Sequence, residues 1–188
     1  MASELRVDKI IPATGVPTGG GGGIIQVQQT VKTDTWTTDS ANNYPNFEEV
    51  TGFNVSITPK FSTSKLLVTA SVNYSTGYWQ GFGQLWRGIG GASRSVLNAA
   101  TGDAAGSRVR YTFSNLQYQG AVGANNQYHG TVNFLDTPNT TSAVSYSIAM
   151  RSYTTSYQVY VNRNASDLDS ASYYGRGMST ITVMEVSA

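Results

Sequence analysis

The stretch FNVSITPKFSTSKLLVTASVNY, residues Phe53–Tyr74, decides the fold. Its first six residues alternate strictly. Phe53, Val55 and Ile57 fall on one side; Asn54, Ser56 and Thr58 fall on the other. That two-residue period belongs to a strand with one face buried and one face wet. Pro59 ends it, because proline has no N–H to give to a ladder. Lys60–Ser64 is polar and reads as the turn. Lys65–Tyr74 then forms a longer, more apolar run, expected to be a central strand.

Working outward, the same grammar recurs. Ile24–Lys32 (IIQVQQTVK) alternates, and further short strands are expected at Gly81–Ile89, Arg108–Leu116, Gln127–Leu135, Ala143–Tyr153, Tyr157–Asn162 and Met178–Val186. Clusters of Gly, Pro, Asn, Asp and Ser separate them. Regular short strands with such punctuation predict an all-β antiparallel sandwich or barrel. No window holds a sustained 3.6-residue period; one helical turn fits within Ala99–Gly106. In the last strand, STITVMEV, alternation is expected to turn Ile181, Val183 and Val186 inward. Thr180, Thr182 and Met184 then take the other face.

At the other end, Gly19, Gly20, Gly21, Gly22 and Gly23 split the chain into a segment 1–18, a hinge 19–23 and a β-body 24–188. Within LRVDKII, Leu5 and Val7 alternate with Arg6 and Asp8. Pro12 and Pro17 hold Ile11 and Val16 extended. A segment this short cannot bury its own apolar face. Leu5, Val7, Ile10, Ile11 and Pro12 are therefore the candidate docking residues against a partner. Five glycines behave as a flexible coil reaching about 12 Å.

Only 12% of the 188 residues are charged, against roughly one quarter in ordinary soluble domains. Low charge gives little protection against self-association and suits a subunit that assembles. The formal net charge of +1 supplies no field for a nucleic acid or an anionic membrane. With no cysteine, disulfides, thiolate catalysis and Cys-ligated zinc are excluded. The N-terminus has no secretory hydrophobic region, and no apolar run approaches the roughly 20 residues that span a bilayer. Synthesis in a cytoplasm without membrane insertion is the expectation.

Catalytic chemistry finds little to build on. His129 is the single histidine, and no G-x-S-x-G elbow accompanies it. Glu48, Glu49, Asp103, Asp136, Asp167 and Asp169 are the carboxylates available for glycoside hydrolysis, but Glu48 and Glu49 would face opposite ways on a strand. Asp167 and Asp169 with Asn162 and Asn164 have the hard oxygens calcium takes, without the twelve-residue loop. The reading is a protein that is not an enzyme, with no catalytic residue, metal or cofactor. Aromatic residues are more telling. Trp79 and Trp86 flank Gly81–Gly83 and read as core or subunit interface. Tyr173 and Tyr174, in the long loop Arg163–Gly177, are the candidate receptor-binding residues, because loop tyrosines offer contact area at low entropic cost.

Several stretches resemble short fibre-type virion proteins of tailed bacteriophages, seen often in phages of marine bacteria and cyanobacteria. SELRVDKIIPATG is similar to their N-terminal attachment segment, and FNVSITPKFSTSKLLVTASV to their signature strand-turn-strand. NFLDTPNTTSAVSYSIAMRS matches their FLD-x-P hairpin with its later tyrosine, Tyr146. The end, through STITVMEVSA, resembles their terminal hairpin. The resemblance implies a jelly-roll-like β-sandwich that forms a homotrimer, similar to tumour-necrosis-factor-like and complement-like heads. It implies a virion location. The N-terminal segment would dock on a tail adaptor, nozzle or capsid protein, and the head would meet a host-surface glycan or protein. No coiled-coil or β-helix shaft separates segment from head, so a head fibre or capsid decoration protein is the alternative. A glycan depolymerase and a free bacterial lectin-like protein are the remaining ones.

Overall fold

The computed structural model describes residues 23–115, 126–170, 172 and 174–187. The docking candidates Leu5, Val7, Ile10, Ile11 and Pro12, the glycines Gly19–Gly22 and Tyr173 lie outside them.

The quoted stretch becomes β3 (Glu48–Ile57) and β4 (Lys65–Thr76), one in each of two sheets. Around them come β1 (Ile24–Lys32), β2 (Trp36–Thr37), β5 (Gly81–Ile89), β6 (Ser95–Val96) and β7 (Phe113–Ser114). The chain continues through β8 (Tyr128–Asp136), β9 (Val144–Ser152), β10 (Val159–Val161) and β11 (Ser179–Val186). One sheet runs β1-β11-β4-β10-β2, with β8 also on β4; the other runs β3-β9-β5-β6, with β7 also on β5. All pairings are antiparallel, and the two sheets pack face to face as a jelly-roll-like β-sandwich. A single helical turn, α1 (Ser40–Asn43), and a 3-10 turn at Asn98–Ala100 are the helical pieces among the described residues.

β4 is central because both of its edges are paired, with β8 on one side and β11 and β10 on the other. Its inward residues Leu66, Val68, Val72 and Tyr74 are buried against Val50, Phe53, Ile148 and Met150 of the facing sheet. Each buried aliphatic side chain contributes about 1.5–3 kcal/mol. Between the sheets sits the ring of Phe113. A methyl group at Gly83 or Gly130 would overlap it, so both positions must lack a Cβ.

Three sequence expectations change. β3 begins at Glu48, earlier than alternation indicated, because Gly52 takes φ +73° and a bulge interrupts the register between Glu49 and Asn54. The expected strand Arg108–Leu116 is not a full one over its described part, residues 108–115. Only Phe113–Ser114 pairs, since Thr112 N–H donates to Gly83 O and Gly102 N–H to Tyr111 O, folding the loop back on β5. In β11, Ile181 and Val183 do face the core, but Val186 sits on the outer face opposite Lys65. Glu185 takes the inward place and is fully buried.

Candidate functional site

The strand directions give the sandwich two unlike poles. β4, β1 and β3 fix the sense: residues 24, 57, 65, 89, 136, 144 and 186 lie at one pole, and 32, 48, 76, 81, 128 and 152 at the other. The described body begins at the first of these. Gly23 O accepts from Ser187 N–H there, so the first and last described residues meet.

The aromatics gather at the opposite pole. The β4–β5 connection carries Tyr78 and Trp79, and the β9–β10 connection carries Tyr153 and Tyr157. Tyr157 stacks on Tyr78 (centroids 5.3 Å, 26° between planes) and Trp79 stacks on Tyr153 (5.4 Å, 28°). Tyr78 meets Trp79 edge-on at 5.5 Å, which joins the two pairs into one row. Offset and edge-on contacts of this kind fix ring orientation. Beside the row, Arg151 lies 5.0 Å from the Tyr44 ring centre and 5.7 Å from that of Phe82, with its Nη1 donating to Pro45 O at 2.8 Å. Trp79 is half-buried in this row and not in the core. Trp86, also half-buried, donates its indole N–H to Gln84 Oε1 on β5.

Tyr174 is half-buried beside exposed Leu168 in an open groove that Asp167, Asp169 and Arg176 also line. Its N–H donates to Ser170 O. Asp167 is paired with Arg176 and Arg163, and Asn162 and Asn164 are spent on internal hydrogen bonds. Asn162 Nδ2 donates to Lys32 O and Asp34 O; Asn164 Oδ1 accepts from Gly175 N–H. The four candidate calcium ligands are thus not brought together, and no cluster of three or more such side chains occurs among the described residues.

Four carboxylates, Asp136, Glu185, Glu49 and Glu48, serve the scaffold. Asp136 accepts both oxygens' worth of hydrogen bonds from Arg87 Nη1 (2.8 Å each) and one from Tyr146 O–H (2.6 Å). Arg87 and Tyr146 belong to one sheet and Asp136 to the other, so the trio clamps the sandwich. Burial first, and then the Asp136 carboxylate, push the Tyr146 phenol far up, keeping it a donor. Glu185 accepts from Gln26 Nε2 (2.6 Å) and from Lys60 N–H (2.7 Å). Burial alone would raise this carboxyl, but the Ser64 side chain first, then Gln26 and the Lys60 and Phe61 N–H groups, hold it below the usual range. Glu49 pairs with Arg94, and Glu48 accepts from Asp39 N–H and Asn43 Nδ2. His129 is exposed on the outer face of β8.

That outer face is itself a surface. Across β1, β11, β4 and β8, one row reads Val27, Met184, Leu67, Leu135. The next reads Gln29, Thr182, Thr69, Asn133, and the third Val31, Thr180, Ser71, Thr131. No charged residue stands in these three rows. Val27 and Leu135 are each about half exposed.

Sequence reasoning pointed at Tyr174 and missed the Asp136 and Glu185 clamps and the aromatic pole. The available signal for the last was the run GYWQGF, Gly77–Phe82, where aromatics sit in a tight turn between strands.

No family model matches the chain, and no curated protein matches it. Among solved structures the chain is similar to one in the structure of infectious bursal disease virus, Gx strain. The sequence identity is 9%, the TM-score 0.37, and the match covers 94% of this chain and 46% of that one. This chain thus spans about half the length of that one.

Proposed function

We propose that this chain is a non-enzymatic virion component of the tail-fibre type. Its segment 1–18, through Leu5, Val7, Ile10, Ile11 and Pro12, docks on another virion protein. Gly19–Gly23 act as a joint, and the β-body is displayed for attachment to a host surface. The observation that carries this reading is polarity. The chain enters the body at one pole, and the stacked aromatic loops occupy the other. A body tethered at one end presents its far end outward. The sequence resemblance at both ends and the middle of the chain supplies the virion context.

Homotrimerisation is part of the proposal. The uncharged rows on the outer face of β1, β11, β4 and β8 support it, because bringing two copies of a neutral face together meets no charge repulsion. Threefold display raises weak single-site binding by roughly 10²–10⁴ where geometry allows. The direct junction of body to segment by five glycines, with no shaft between, favours a second reading as a capsid decoration or head-fibre protein. Copy number separates the two: a few trimers at the tail against dozens over the shell. The docking role itself is tested by deleting residues 1–18. The truncated protein is expected to be absent from purified particles; its continued incorporation would overturn the anchor.

A further inference from the structure

We infer that the groove between β5 and the loop 101–112 is a saccharide-binding site. This rests on the reading that the aromatic pole contacts the host surface, and it names what that pole holds. The groove is open to solvent, has a volume of about 450 Å3 and is lined by Gln80, Phe82, Asp103, Arg108, Arg110 and Tyr111 among others. Its volume falls within the roughly 300–1,000 Å3 of small-molecule sites.

The lining has two chemistries side by side. Phe82 and Tyr111 present rings 5.3 Å apart at 42°, the first buried and the second exposed. Gln80, Asp103 and Arg108 add an amide, a carboxylate and a guanidinium at the rim. A sugar ring needs this combination. Its C–H face packs on an aromatic, while its hydroxyls take paired hydrogen bonds from planar polar groups. A nucleic acid would want an unopposed basic stripe, and here Asp103 stands among the arginines.

The groove is also held in shape before any ligand arrives, which lowers the ordering cost of binding. Arg110 Nε donates to Gly102 O at 2.7 Å, and its Nη1 to Asn98 Oδ1 at 3.2 Å. Gln84 Nε2 donates to Arg110 O at 2.8 Å, and the Thr112 hydroxyl to Ala100 O at 2.8 Å. Leu85 N–H in turn donates to that hydroxyl at 3.0 Å, tying the loop to β5. Gln80, on the groove, is also tied by its backbone to the aromatic row, since Tyr153 N–H donates to Gln80 O at 3.0 Å.

The full-length protein is tested on an array of neutral-hexose and uronic-acid oligosaccharides, and the best binder is titrated by calorimetry. Tyr111→Ala and Asp103→Ala are each expected to weaken binding at least tenfold without changing the melting temperature. Thr63→Ala, exposed in the Lys60–Ser64 turn at the opposite pole, should leave binding unchanged. An empty array, or undiminished binding by both groove variants, overturns the inference. Labelled protein on host cells keeps the two claims apart. An empty array with stained cells removes the saccharide and leaves attachment standing; unstained cells remove the attachment reading as well.

Discussion

Asp136 shows how a residue that reads as an ordinary loop carboxylate becomes a structural necessity. It closes β8 at the end of NFLD and receives Arg87 and the buried Tyr146 hydroxyl from the facing sheet. Asp136→Ala leaves both donors without their partner, which costs about 3 kcal/mol or more. Urea unfolding of the variant should show that loss, and Tyr146→Phe, which leaves the Arg87 pair intact, a smaller one. Glu185 carries a pH signature. Its folded carboxyl is held below the ordinary value. The stability it adds is fully present above the unfolded value of about 4.3 and is lost as pH falls through the folded value. Acid titration of the melting temperature should therefore be flatter in that range for Glu185→Gln than for the wild-type protein. Both residues lie in the stretches that carry the family resemblance. The aspartate of FLD and the glutamate of TVME were legible as letters, but their partners are 49 and 125 positions away, at Arg87 and Lys60.

At the scale of the element, β11 illustrates what alternation captures and where it slips. Ile181 and Val183 are fully buried, as a period of two requires. Ile181→Asp would bury an unpaired charge at a cost of several kcal/mol; an unaltered melting temperature would refute the placement. Val186 breaks the apolar pattern because parity, not hydrophobicity, sets the face, and parity gave the inward place to Glu185. The same parity puts Val27, Met184, Leu67 and Leu135 in one outward row. If copies associate through that row, Leu135→Glu introduces like charges at the contact. Light scattering of the purified variant should then report monomer where the wild-type protein is oligomeric. Equal mass for the two would sink the interface. Arg108–Leu116 marks the limit of element-level reading. Its alternation is real, but loop-to-strand hydrogen bonds from Gln84, Leu85 and Thr112 outcompete ladder pairing there.

For the whole molecule, polarity is the organising fact. The body's first and last described residues meet at one pole, and removing residues 1–18 cuts none of β1–β11. The truncated body should melt within a degree or two of the full chain by circular dichroism. A large drop would mean that the segment contributes to the fold and is not a separate anchor. The sequence by itself determined the all-β class, most strand positions among the described residues and the absence of cysteine. Period, proline and glycine are local signals, readable over a few residues. Only the tertiary structure decided which strands share a sheet, that Asp136 and Glu185 bridge distant segments, and that aromatics from residues 44, 79, 111 and 153 converge at one pole. Those are contacts between residues far apart in the chain, and a two-residue period says which face a side chain takes but not what stands across from it.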